Sequence, residues 1–207
     1  VSDIDAVLIE EPETHLSYTK TLDLIAKIKD SKNRQLFITT HSDLISTRLN
    51  LRKCLLLNST STQVTSLSAL NDDTAKFFMK APDNNLLQFV LSKKVILVEG
   101  DGEFILMEAM YKRVTGKDLV CSDIGVISVD GKCFKRYLEI AKFLNIKVAV
   151  ITDNDCDYKG NVVDNYHDYN ASNICIFSDQ DNQRYTFEIC VYNDNKALLD
   201  SMIVGLR

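Results

Sequence analysis

The chain has 207 residues, 45% of them apolar and 26% charged, with a formal net charge of −5. These are globular proportions; no apolar run approaches the ~20 residues that span a bilayer, so no membrane is expected as a partner. The acidic balance excludes a domain that holds nucleic acid by a coat of Lys and Arg alone. Six cysteines and three histidines are scattered with no C-x-x-C spacing, which argues against a zinc site and for reduced thiols in a cytoplasmic protein. No secretory signal is expected, and the start at Val1 reads as a fragment of a longer protein.

In chain order, Ala6 to Ile9 reads as a buried strand followed by a polar turn, Glu10 to His15. Leu22, Ile25 and Ile28 then recur at helical spacing, and Leu36 to Thr40 reads as a second strand with His41 at its carboxyl end. Cys54 to Asn58 and Val64 to Leu67 read as strands joined by the turn Ser59–Thr62. Asn71 to Leu91 reads as a helical connector interrupted at Ala81-Pro82.

A second α/β stretch begins at Lys93. Val95 to Val98 is a strand ending at Glu99-Gly100; an amphipathic helix follows, with Phe104, Met107, Ala109 and Met110 near one face. Val126 to Val129, Val148 to Thr152 and Ile174 to Phe177 are further strands, and a helix carrying Tyr137, Ile140, Ala141 and Leu144 lies between the first two of these. Continuous apolar strands alternating with helices define an α/β fold with a mostly parallel sheet covered by helices. Ligands bind such sheets at the carboxyl ends of the strands, where Glu99, Asp130, Asp153 and His41 fall. The Asp153 to Asp181 stretch, dense in Asp, Asn and Tyr, reads as a long functional loop or a poorly ordered insertion.

Two constellations carry chemistry. In Leu8-Ile9-Glu10-Glu11-Pro12-Glu13 a strand ends in adjacent carboxylates before a proline turn. ATP hydrolysis needs one acid on the Mg²⁺ side and one to orient the attacking water. His41, at the end of the next strand, is placed to sense a γ-phosphate. The pair resembles the Walker B plus D-loop and the switch histidine of ABC-type ATPase heads. That resemblance makes Glu10 the Mg²⁺-side acid, Glu11 the water-positioning base and His41 the switch. Gly100 is the first glycine, so the chain has no Gly-rich phosphate loop ahead of it. The chain alone is therefore expected not to hydrolyse ATP.

The second constellation is acidic. Glu99 stands at a strand tip, Glu103 in the first turn of the following helix, and Asp153 and Asp155 end another strand at i and i+2, which share a side in extended chain. Such hard oxygen ligands suit Mg²⁺ or Mn²⁺, and two ions together suit phosphodiester cleavage. Asp130 is ambiguous between site and turn, and Lys132 between a phosphate contact and a helix start. Tyr158, Tyr166 and Tyr169 are equally readable as base-stacking or as ordinary loop tyrosines.

From Lys93 to about Tyr192 this arrangement resembles the TOPRIM domain of topoisomerases, primases and OLD-family nucleases. Glu103, four residues after Glu99, points to the OLD nucleases, which join an ABC ATPase to a C-terminal TOPRIM nuclease. The resemblance implies a late acid, matched by Glu188 in Thr186-Phe187-Glu188, and a downstream catalytic lysine that has no match before Arg207; Lys196 reads as a surface helix residue.

The expected organisation is the C-terminal half of an ABC-type head (1–70), a helical connector (71–92) and a TOPRIM domain with helices on both sheet faces (93–207). The implied function is an ATP-regulated, metal-dependent DNA endonuclease in phage defence or DNA processing. Glu99, Asp153 and Asp155 would be catalytic, and Glu99, Glu103, Asp153, Asp155 and Glu188 would hold the metal. The cofactors would be Mg²⁺ or Mn²⁺ and, in the full-length protein, ATP with Mg²⁺. The partners would be DNA and a second copy of the chain, or several, joined through the head. The alternative is a repair or recombination ATPase whose TOPRIM domain binds DNA without cutting it.

Overall fold

The structure, a computed structural model, describes residues 6–31, 35–57, 64–80, 85–129, 131 and 133–204. The Ser59–Thr62 turn, Ala81-Pro82, Asp130 and Lys132 lie outside the described residues. The chain divides at Leu91/Ser92 into two compact units.

In the first unit, β1 (Ala6–Glu10) and β2 (Gln35–Thr39) pair in parallel, with Leu8 beside Phe37 and Glu10 beside Thr39. The connecting helix α1 (Tyr18–Asp30) buries Ile25 of its three apolar positions, with Leu22 and Ile28 half-buried. The expectation of a buried strand is corrected: Leu8 is 80% exposed and Phe37 52%. Among the described residues this sheet has two strands, and on one of its faces Leu8 and Phe37 remain open to solvent.

Helix α2 (Asp43–Asn50) starts right after His41, with the Ser42 hydroxyl accepting from the Ile45 N–H. The strands expected around Cys54 and Val64 shrink to two residues each, β3 (Leu55–Leu56) and β4 (Thr65–Ser66), paired antiparallel. Two helices follow, α3 (Asp72–Lys80) and α4 (Leu86–Leu91). They belong to the core of this unit: Phe78 and Phe89 are fully buried with Ile45, Leu51 and Leu67. The Leu87 N–H donates to Asp43 Oδ1 at 2.7 Å, tying α4 to the first turn of α2.

The second unit is a four-stranded, wholly parallel sheet in the order β6-β5-β7-β8, formed by β5 (Lys94–Val98), β6 (Ile124–Ser128), β7 (Lys147–Ile151) and β8 (Ile174–Phe177). Parallel strands need crossovers. The helix α5 (Asp101–Thr115) joins β5 to β6, and α6 (Phe134–Leu144) joins β6 to β7. Val95, Leu97, Val148 and Val150 share one buried face. On α6, Phe134, Tyr137, Leu138, Ile140 and Ala141 are buried too, a stripe at helical spacing.

The opposite face carries Ile96, Ala149 and Ile151, all half-buried. These residues line a cavity of about 360 Å³ together with Phe187 and Cys190 of α7 (Phe187–Asp194). A last helix, α8, spans Lys196–Val204. Of the four apolar positions expected to share a face of α5, only Met107 is buried, and the residue buried one turn earlier is Glu103. The stretch after Asp153 is not a loose loop. It contains a π-helical segment (Lys159–Asp164), a 3-10 turn (His167–Tyr169) and β8.

Candidate functional site

In the first unit, Glu10 is the exposed last residue of β1. Glu11 adopts a left-handed φ of 40°, a conformation unusual for a residue with a Cβ. Its N–H donates to the Thr39 carbonyl at 2.9 Å, so pairing with β2 runs one residue beyond the strand before Pro12 turns the chain. The turn brings Glu11 and Glu13 to the end of β2. Glu11 Oε1 lies 3.2 Å from His41 Nε2. The His41 backbone N–H donates to Glu11 Oε2 at 3.2 Å and to Glu13 Oε1 at 2.9 Å. The Thr40 hydroxyl donates to Glu13 Oε1 at 2.5 Å.

The structure therefore brings Glu11 and His41 together and adds Glu13, which the sequence reading quoted but did not assign. Burial pushes the Glu13 carboxyl up, but the Thr40 hydroxyl and backbone donors, including the His41 N–H, outweigh it and leave the group below its usual range. The only sequence signal for Glu13 was its place just beyond the proline.

In the second unit, Glu99 follows β5, and Thr152 and Asp153 follow β7, which pairs with β5. The Thr152 hydroxyl and the Asp153 N–H both donate to Glu99 Oε2, at 2.9 and 3.1 Å. Glu103, 5% exposed, accepts the Gly100 N–H at 3.2 Å, a cap that fixes it at the start of α5. Asp153 Oδ1 accepts the Phe187 N–H at 2.8 Å, at the N-terminus of α7. Gly102, with no side chain, faces Glu188: a Cβ there would stand 3.5 Å from Glu188 Oε1.

Four of the expected acids thus converge, namely Glu99, Glu103, Asp153 and Glu188. Their mutual repulsion is visible at Asp153. Burial first, then the negative charge of Glu99, with smaller contributions from Glu103 and Glu188, push its carboxyl from 3.8 up to about 6 against the Phe187 N–H. Tyr166 stands in the same field. It is 6% exposed and edge-on to Phe134, and burial and Glu99 push its phenol up to about 12. It is a core residue, not a free stacking platform.

The extended-chain argument that aimed Asp155 with Asp153 is corrected. Asp155 and Cys156 have φ of 48° and 67°, so the chain has turned by then. Asp155 is exposed and its N–H donates to the Tyr185 carbonyl at 3.2 Å. The residue between the acids, Asn154, is 1% exposed, and nothing in the sequence marked it. Asp101 and Asp157 are exposed. Lys196 lies on the surface with Tyr192 and Asp200.

By donor chemistry the four acids fit a hard divalent cation: all are oxygen ligands, and the repulsion felt at Asp153 persists beside its hydrogen-bond donor. Among the described residues, no three His, Cys, Asp or Glu side chains form a ready cage. Glu99 and Glu103 each spend an oxygen on backbone or hydroxyl donors. No helix among the described residues is long and apolar enough to cross a membrane.

A comparison with known families finds a match over part of the second unit. Residues 90–155, which carry Glu99, Glu103, Asp153 and Asp155, match the family described as "Overcoming lysogenization defect protein-like, TOPRIM domain". TOPRIM domains generally use divalent metal ions such as Mg²⁺. The chain is also 23% identical, over 181 residues, to the Old nuclease of Escherichia phage P2. That match takes in 82% of this chain and 30% of the relative, so the chain spans about a third of that protein's length. The two matches together support an OLD-family protein.

Proposed function

We propose that the chain is part of an ATP-regulated, divalent-metal-dependent DNA endonuclease of the OLD type, acting in the cytoplasm in phage defence or DNA processing. The observation that carries this reading is the convergence of Glu99 and Asp153, at the ends of β5 and β7, with Glu103 of α5 and Glu188 of α7; the first three lie within the OLD-like TOPRIM match and Glu188 beyond it. Mg²⁺ or Mn²⁺ at these acids would supply an activated water and charge stabilisation at the scissile phosphate. Glu99 is oriented by Thr152 and Asp153, Asp153 is held by the Phe187 N–H, and Glu103 is fixed by its cap. Glu99 or Glu103 takes the proton from water, and Asp155 serves as a further metal-side acid on the turn. In the first unit, Glu10 serves the nucleotide-bound Mg²⁺, Glu11 orients water and His41 senses the γ-phosphate, once the phosphate-binding half of the head and a second copy are in place.

The test is plasmid cleavage by the full-length protein. It should nick or linearise DNA with Mg²⁺ or Mn²⁺ and stop with EDTA. Asp153→Ala should abolish cutting and Asp155→Ala, an acid on the exposed turn, should weaken it, while Asp101→Ala should leave it unchanged. A second reading, DNA binding without cutting, draws on the lack of a ready metal cage among the described residues. Tight DNA binding with no cleavage under any divalent ion would establish it.

A further inference from the structure

Asn154 stands where two carboxylates flank it, yet its side chain does not face solvent. It is among the most buried polar groups of the chain. Its Nδ2 donates to three backbone carbonyls, of Asp179 at 2.9 Å, Asp181 at 3.1 Å and Arg184 at 3.3 Å. Its Oδ1 accepts the Cys156 N–H at 2.9 Å, closing the turn in which Asp155 and Cys156 take positive φ. Its own carbonyl accepts from Asn161 Nδ2 at 3.0 Å and from the Asp157 N–H at 2.9 Å.

The three carbonyls belong to the loop that runs from β8 to α7. That loop is also braced from within: Arg184 donates to Asp179 at 2.6 Å and, through both terminal nitrogens, to Asp194 of α7 at 2.8 and 2.9 Å. The end of the loop is the N-terminus of α7, where the Phe187 N–H meets Asp153 and Glu188 joins the acids. One side chain next to Asp153 thus anchors the loop that returns to Asp153 more than thirty residues later in the sequence.

We propose that Asn154 is a positioning residue for the acidic site: its carboxamide clamps the 179–184 loop and so places the Phe187 N–H and Glu188 against Asp153. This rests on the metal-site reading above and goes beyond it by assigning a residue that carries no charge and binds no ion. An amide suits the place. Two N–H donors meet three acceptors and one acceptor meets an N–H, so an aspartate would set like partial charges against the carbonyls, and an alanine would leave three carbonyls short of a donor.

Three measurements on the chain decide it: amide hydrogen exchange, Mn²⁺ titration, and plasmid cleavage in the full-length protein. In Asn154→Ala and Asn154→Asp, the Arg184 and Phe187 amides should exchange at least about tenfold faster while the β5 and β7 amides keep their protection. Mn²⁺ affinity should fall about ten- to a hundredfold, the range seen for groups that orient metal ligands. Arg184→Ala should produce the same pattern from the other side of the loop, so a folding failure of one variant leaves the question decidable. In cleavage, kcat should fall and partly return at saturating Mn²⁺, which simple destabilisation would not produce.

Unchanged Phe187 exchange and Mn²⁺ affinity in a folded Asn154→Ala chain overturns the proposal. If wild type binds Mn²⁺ but never cuts, the nuclease reading falls and the exchange and affinity results still decide the role of Asn154. If wild type binds no Mn²⁺, the metal reading falls and exchange alone decides it.

Discussion

In the first unit hydrogen-bond donors outweigh burial at Glu13; in the second, burial and the neighbouring acids outweigh the donor at Asp153. Glu13 receives the Thr40 hydroxyl and the His41 N–H, and Glu11 faces the His41 ring. Asp153 receives one N–H and otherwise faces Glu99, Glu103 and Glu188. The same residue type at the same topological place, past the carboxyl end of a parallel strand, is driven in opposite directions. Glu13 is held below its ordinary range and Asp153 well above it. What distinguishes the two groups of acids is therefore the neighbours of each carboxylate, not the count of carboxylates.

The largest test of this contrast is on cutting by the full-length protein. Asp153→Ala should reduce metal-dependent plasmid cleavage to background, because it removes the acid that all the others face. Glu11→Ala should leave metal-dependent cutting in place and change its response to nucleotide. A Glu11→Ala protein that loses all cutting, beside an Asp153→Ala protein that keeps it, would reverse the assignment of the two regions.

Metal should also separate them thermodynamically. Mg²⁺ at 100 times its Kd should stabilise the folded chain by about 2.7 kcal/mol if it binds the folded state alone. Asp153→Asn should remove most of this gain and Glu13→Gln none of it, as read from melting curves with and without the ion.

Without metal the pH dependence should carry opposite signs. Between about pH 4 and 6 the folded chain keeps a proton on Asp153 that the unfolded chain has lost, so this group's contribution to stability falls as pH rises through that window. Because Asp153 is only half-buried, solvent screening reduces the effect to about 1 kcal/mol. Glu13 behaves the other way. Its contribution is present above the unfolded value of 4.5 and is lost as pH falls through its lowered folded value. Melts from pH 3 to 7 should show Asp153→Asn flattening the fall near pH 5, and Glu13→Gln flattening the loss at the acid end.

The parallel sheet was legible because buried strands in such sheets read as continuous apolar runs: Val95 to Val98 and Val148 to Ile151 need no partner information to be recognised. Glu99 and Asp153 followed from standing at the ends of those runs. Glu103 followed from its place in the first turn of the helix after Glu99, whereas Glu188 came from the resemblance to the OLD family. The first unit was less legible. AVLI looks like a core strand, but the sheet has two strands among the described residues, and Leu8 is 80% exposed there. Asn154 and Glu13 were missed because most of their partners are backbone atoms or a hydroxyl some 25 to 30 residues away, which leave no local pattern. Asp155 was misaimed because periodicity assumes an extended chain, and the Asx turn made by Asn154 breaks it.

The smallest expected effects concern two helix caps that sit beside the two sites. Thr186 caps α7 by accepting the Ile189 N–H, and Ser42 caps α2 by accepting the Ile45 N–H, both at 3.4 Å. Both helices have eight residues. Bonds this long place the cost of either alanine substitution at the low end for N-caps, about 0.5 kcal/mol, measured by denaturant melts. Equal costs in stability should not mean equal costs at the acids. Thr186 precedes Phe187, whose N–H donates to Asp153, so fraying this cap releases that donor and leaves Asp153 more strongly opposed by its neighbours. Thr186→Ala should therefore weaken Mn²⁺ binding several-fold, within the range for groups that orient metal ligands. Ser42→Ala frays a helix next to His41, where the His41 N–H is already held by two carboxylates, and it should leave Mn²⁺ affinity unchanged. If both caps shift Mn²⁺ affinity alike, the coupling runs through global stability rather than through the Phe187 N–H, and the separation of the two acid groups loses its main structural support.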